Sequence, residues 1–200
     1  MPQLIRRVMK RKGSHRMQSL SALLVLCFAV VLTGSAVGQK QYMWCPDEVT
    51  PSPRPDALKG LVVDVVFTDA RVLTSKVKDK CESTTIANAF VASLQKAFPS
   101  ASIALASSPD GRGGQGRILV EVSLTAYSAS FLSANWMASV GLSVRTTDFR
   151  VESVHGDAHQ IAKERKAFNM GGMATAKKNL MLAYVDTTTE LIDYLATRLR

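Results

Sequence analysis

The sequence predicts an α+β fold: one mixed, mostly antiparallel sheet of four to five strands in the order β-α-β-β-β-α, with two helices on one face and a signal peptide in front. Three observations lead there. A β-branched run, Leu61 to Thr68, gives way to a stretch with helical spacing; two later segments alternate apolar and polar residues; a last stretch regains helical spacing.

Residues 1–38 read as the signal peptide. Arg6, Arg7, Lys10, Arg11, Lys12 and Arg16 precede the apolar run Leu20 to Thr33, no acidic residue occurs before Asp47, and Ala36-Val37-Gly38 offers small residues for cleavage before Gln39. Two other readings stay open. An inner-membrane anchor over residues 20–37 would need about 20 apolar residues to cross the hydrocarbon. A lipid anchor at Cys27 would need a small residue just before it, where Leu26 stands. Met9-Lys10 follows Arg6-Arg7 where a twin-arginine signal would carry apolar residues, so export of the unfolded chain is expected, to a periplasmic or secreted location.

The formal net charge is +9, from 25 Lys and Arg against 16 Asp and Glu. Six of those cations lie in the signal, which leaves 19 against 16, a balance of +3. The charge that would attract a polyanion mostly leaves with the signal, and no nucleic-acid partner is expected. Once Cys27 is gone, Cys45 and Cys81 remain of the three cysteines, and in an oxidising compartment they are expected to pair. Closing that loop would stabilise the fold by on the order of 3–4 kcal/mol.

Three segments are expected: the signal over 1–38, an extended Pro-rich lead over 39–60, and a single α+β domain over 61–200. Pro46, Pro51, Pro53 and Pro55 argue that the lead forms no ladder of its own. Leu61 to Thr68 should be a central strand, and 69–80 a charged, irregular stretch. From Glu82 to Phe98, Ile86, Ala89, Phe90, Leu94 and Ala97 fall on one helical stripe, with Ser83 or Thr84 as cap and Pro99 as stop. Ser102 to Ala106 is a short strand, parallel to the first if the helix makes a crossover. Asp110 to Gly116 is a glycine-rich turn.

Ile118, Val120, Val122, Leu124 and Ala126 alternate with Leu119, Glu121, Ser123 and Thr125, and Val140, Leu142 and Val144 alternate with Ser139, Ser143 and Arg145, so these two strands should form a hairpin. A basic edge strand is expected within 159–168, with Lys163 to Lys166 as a solvated face. Gly171-Gly172 breaks the chain before a last helix from about Thr175 to Leu199. Leu180, Tyr184, Thr188, Leu191 and Leu195 make its buried stripe, and Arg198 and Arg200 suit its C-terminal dipole.

The order of elements, the export signal, the first strand bearing Asp64, the hairpin Tyr127 to Met137 and the Ala/Lys-rich approach to a final helix resemble small periplasmic domains: the amino-terminal domain of TolB and the envelope-assembly and transport-auxiliary lipoproteins. The resemblance spans about Leu61 to Leu199. It implies a scaffold, adaptor or assembly factor, not a catalyst. The chain departs from it in lacking a lipoprotein signal around Cys27.

Several groupings could carry chemistry. His155-Gly-Asp-Ala-His159 places two imidazoles and a carboxylate within five residues, which supports an alternative reading as a secreted metal-binding protein or hydrolase using that turn. A turn there spaces the side chains poorly for one ion, so no metal site and no cofactor is expected. Ser75-x-x-Lys78 matches the serine acyl-enzyme pattern without its partner motifs. Asp64, Glu121 and Asp148 are carboxylates that a fold could bring together.

The segment Tyr127-Ser-Ala-Ser-Phe-Leu-Ser-Ala-Asn-Trp-Met137 joins two strands, so Tyr127, Phe131, Leu132, Trp136 and Met137 should be largely exposed there. An exposed aromatic patch suits a protein or lipid partner; strands running through the segment, with the rings covering the end of the core, is the alternative. The expected function is therefore that of an exported, non-enzymatic accessory protein that binds an envelope protein or a lipid component, with peripheral or no membrane contact once the signal is removed.

Overall fold

The computed structural model describes residues 40–74, 76–78, 80–107, 116–150, 154–156 and 158–199, and the side chains of these except 154 and 155. The expected signal segment, Cys27, most of the glycine-rich turn and Ser75 of the Ser-x-x-Lys pattern lie outside the described residues.

The class is α+β, as the alternating periodicities predict. Five strands carry the sheet: β2 (Val62–Asp69), β4 (Ser102–Ala106), β5 (Arg117–Leu132), β6 (Asn135–Asp148) and β8 (His159–Phe168). Three two-residue strands join them, β1 (Gln41–Tyr42), β3 (Val77–Lys78) and β7 (Val154–His155), so the sheet is larger than four to five strands. The helices are α1 (Ser83–Ala97) and α2 (Gly172–Arg198). β2 lies between β4 and β5, parallel to both, while β5, β6 and β8 are successively antiparallel. A central strand has both ladders to satisfy and both faces to cover, and β2 is buried at four consecutive residues, Val63 to Val66.

Both helices pack on one face and share a single apolar core. Ile86, Phe90 and Leu94 of α1 meet Val63 and Val65, and Leu180, Tyr184, Leu191 and Leu195 of α2 cover Val140, Leu142 and Val144. The α1 cap is Glu82 rather than Ser83 or Thr84, and it makes no side-chain capping bond. β8 is the expected edge, but Lys163 and Arg165 are not simply a solvated face. Each pairs with an acid of α2, Lys163 with Glu190 and Arg165 with Asp186, which holds the helix over the edge strand.

Register along β5 changes once. The expected alternation runs from Ile118 to Leu124, and then a bulge between Leu124 and Ala126 inserts one residue and reverses the phase. Tyr127 and Ala129 therefore face the core in place of Ala126 and Ser128. Gly141 is what lets the bulge close: a Cβ built there would stand 2.7 Å from the Thr125 hydroxyl.

The lead also departs from expectation. Despite its prolines it enters the sheet, β1 pairing antiparallel with Ala129 and Ser130 of β5 and parallel with β3. The prolines fall after this segment, so Gln41 and Tyr42 keep their donors. Beyond β1 the lead sinks Met43, Val49 and Leu58 into the core. Cys45 and Cys81 are joined as predicted, with Cα atoms 4.9 Å apart, and this bond ties the lead to the start of α1.

Arg71 completes the tie. Its side chain is 2% exposed, binds both carboxylate oxygens of Asp69 and donates to the Cys81 carbonyl at 3.4 Å. The hydrogen bonds from Arg71 hold the Asp69 carboxyl below the usual carboxylate range, against the opposing effect of partial burial. A carboxyl lowered on folding adds stability above its unfolded pKa, near about 3.9, and that stability is lost as pH falls toward the folded value.

Two variants, with three expected outcomes, test this tie. The double variant Cys45→Ala/Cys81→Ala opens a link between residues 36 apart, and its urea unfolding should show a loss of about 4 kcal/mol in the chain-entropy account. Asp69→Asn strands the Arg71 charge and should cost about 2 kcal/mol at neutral pH, less than a fully buried pair would because Asp69 keeps some water. The same variant should flatten the fall of stability below about pH 4, read from urea midpoints across the acid range.

Candidate functional site

One end of the sheet gathers aromatic and apolar side chains from three separated segments. The strands of the β5–β6 hairpin run through to Leu132 and Asn135, and the connection is only Ser133-Ala134, both at positive φ, 45° and 66°. Two consecutive left-handed residues make the tight turn whose twist matches the strands. Asn169, in the β8–α2 connection, donates its backbone N–H to the Ala134 carbonyl at 3.1 Å, and Phe168 stands opposite Asn135. The hairpin tip and the β8–α2 junction, Phe168 to Met173, are thereby side by side. The lead supplies the third segment.

Four rings form the floor. Tyr42 stacks on Trp44 with centroids 5.4 Å apart and meets Trp136 edge-on at 5.6 Å, while Phe131 lies 5.3 Å from Trp136. The Trp136 indole N–H donates to the Asn169 side-chain oxygen at 2.8 Å. Lys40, Tyr42, Phe131, Trp136 and Asn169 line a shallow cleft of about 440 Å³.

The five residues expected to be exposed here separate. Phe131 and Leu132 are exposed, at 43% and 52%. Met137 is half-buried on the sheet face away from the helices. Trp136 is buried at 6% exposure, held by its indole bond, and forms part of the floor instead of an exposed contact. Tyr127 leaves the group: the β5 bulge turns it into the core, where it is 1% exposed and meets Tyr184 edge-on. Its hydroxyl, pushed up in pKa by burial, donates to the Trp44 carbonyl at 2.8 Å and pins the lead from beneath.

Three exposed residues escaped the sequence reading: Phe168 at 62%, Met170 at 88% and Met173 at 56%. A signal for them existed, because Phe168, Met170 and Met173 cluster around the helix-breaking pair Gly171-Gly172, where no helical or strand face would bury them together.

Of the other groupings, the three carboxylates do not assemble, and the His155–His159 grouping and the Ser75-x-x-Lys78 pattern each include residues outside the described ones. His159 stacks flat on Tyr194 at 4.4 Å, and the His155 side chain lies outside the described residues. The expected hairpin turn at 155–159 is instead an interruption along one edge, since β7 and β8 both pair with β6. Asp148 stands opposite the core-facing Ile118 and is bound by Arg150, whereas Asp64 and Glu121 lie on the open face, with Asp64 paired to Arg117. A cleft of about 550 Å³ at the far end of the sheet is lined by Arg54, Asp56, Lys59 and Arg150 beside apolar residues; Arg54 pairs with Asp193 and Arg150 with Asp148. Among the described residues no helix is long and apolar enough to cross a membrane.

The fold is a mixed five-strand core sheet, extended by three short strands and covered on one face by two helices, and a solved structure shares it. A hypothetical protein of Chlamydia trachomatis, CT253, is 10% identical, with a TM-score of 0.51, over 69% of this chain and 96% of that one. A Xanthomonas campestris protein of the DUF330 family is 8% identical, with a TM-score of 0.48, over 76% and 95% of the two chains. Lipoprotein GNA1162 of Neisseria meningitidis gives 12%, 0.39, 65% and 99% for the same quantities. The first likeness is one of fold alone, and the two lower scores carry no argument. No protein-family model matches the sequence, and no curated protein matches it.

The turn generates its own test. Neither serine nor alanine suits a left-handed backbone, which costs a residue with a Cβ about 1 kcal/mol or more. Ser133→Asn/Ala134→Gly should raise stability by about 1 kcal/mol, seen as a higher midpoint in thermal unfolding with the fluorescence of the folded protein unchanged.

Proposed function

We propose that this chain is an exported, non-enzymatic envelope protein that works by contact, through the apolar end of its sheet. One observation carries the reading. Phe131, Leu132, Phe168, Met170 and Met173, all substantially exposed, come from the tip of the β5–β6 hairpin and the β8–α2 junction and converge on one end of the domain. A soluble surface rarely groups large apolar side chains in this way unless a partner covers them. The basic, apolar and small-residue order of residues 1–38 supports export, and the Cys45–Cys81 bond suits an oxidising compartment. The rigid floor of stacked rings under an exposed rim suits a binding surface that must keep its shape when empty.

A photo-crosslinking residue placed at Leu132 or Met170 in living cells tests this. Adducts are expected at both positions and not at Gln160, an exposed residue of β8 on the open sheet face. Equal labelling at all three, or none at the apolar end, would overturn the reading.

A further inference from the structure

We infer that the partner of this apolar end is the surface of an anionic phospholipid bilayer. The inference rests on the proposal that this end is the contact surface and adds what it contacts. Charge decides between a bilayer and a protein groove. No acidic residue occurs from Val122 to Thr147 or from Arg165 to Val185, the two stretches that build the exposed rim. Lysines surround it instead. Lys40 lines the cleft beside Phe131, Lys166 stands opposite Met137 near the hairpin tip, and Lys177 and Lys178 lie on α2 within about 10 Å of its start at the usual helical rise.

Eight of the described cations, Arg54, Arg71, Lys80, Lys96, Arg117, Arg150, Lys163 and Arg165, each meet a carboxylate. Among the described residues Lys40, Lys166, Lys177 and Lys178 enter no ion pair, a property they share with Lys59, Lys76, Lys78, Arg145 and Arg198, so it is their place beside an acid-free apolar rim that sets them apart. α2 also begins here without an acid in its first turn. An apolar tip about the width of two connections, ringed by uncompensated lysines, matches the layering of a membrane interface. The apolar side chains reach the acyl boundary while the ammonium groups stay among the phosphates. Met170 and Met173, unbranched and adaptable, suit a fluid surface better than a fixed pocket.

The two tryptophans of the whole sequence, Trp44 and Trp136, both belong to the ring floor, so fluorescence reports on this end alone. The protein, in the form recovered from the cell envelope, is mixed with phosphatidylglycerol vesicles whose acyl chains are brominated near the headgroup. The amino-terminal segment carries no tryptophan, and whatever part of it is retained is common to wild type and variants. Quenching is expected, falling about tenfold or more in apparent affinity with phosphatidylcholine vesicles or with Lys177→Gln/Lys178→Gln. It should vanish for Leu132→Ser/Phe168→Ser/Met170→Ser, three exposed positions whose replacement leaves the unfolding transition in place. Absence of quenching, indifference to lipid charge, or an undiminished signal from the serine variant would each overturn the inference. If quenching fails while Leu132 still forms adducts with a protein in cells, the lipid assignment falls and the contact surface stands; if both fail, both fall.

Discussion

The architecture depends on a strap. Residues 40–58 run from the hairpin-tip end of the domain toward the end where the first long strand begins, and three interactions hold their first part at the tip: the Cys45–Cys81 bond, the Tyr127 hydroxyl on the Trp44 carbonyl, and the β1 ladder to Ala129 and Ser130. Each has a different physical basis. The covalent link limits the unfolded chain, the buried hydrogen bond satisfies a carbonyl that the lead would otherwise bury unpaired, and the ladder covers part of an open strand edge. Arg71, buried between Asp69 and the Cys81 carbonyl, ties the loop after β2 to the same point.

The strap matters because of what it brings to the hairpin. Without Tyr42, itself backed by the stacked Trp44, Trp136 would lose the edge-on ring that now meets it, and the exposed Phe131 and Leu132 would lose part of their floor. The bulge after Leu124 is the other half of the device. It turns Tyr127 inward to receive the lead, and Gly141 on the facing strand leaves room for the displaced Thr125. A local break in alternation and a distant cysteine pair thus converge on one hydrogen bond.

The element order was legible because it rests on periodicity, which burial of one face imposes directly. The buried stripe of α2 and the boundaries of β4 and β8 follow from it closely. What escaped was whatever periodicity does not encode. The bulge reverses the phase at Thr125 without a glycine or proline in β5 to announce it, so Tyr127 reads as part of an exposed segment when it is a core residue. β1 is two residues long and exists only because β5 outruns β2, a tertiary circumstance that no local pattern records. At the candidate site Phe131 and Leu132 were visible as apolar residues near a connection. Phe168, Met170 and Met173 belong to the same patch through the Asn169–Ala134 bond, a contact between residues 35 apart in the chain.

Hydrogen–deuterium exchange of the oxidised protein beside the form with its disulfide reduced bears most directly on the strap. With the link open, amides of 41–45, of Ala129 to Met137 and of Asn169 should exchange markedly faster, while β2, α1 and β4 keep their relative protection. Unchanged protection across the hairpin after reduction, or loss spread evenly over the whole sheet, would contradict the claim that the strapped lead is what builds this end of the molecule.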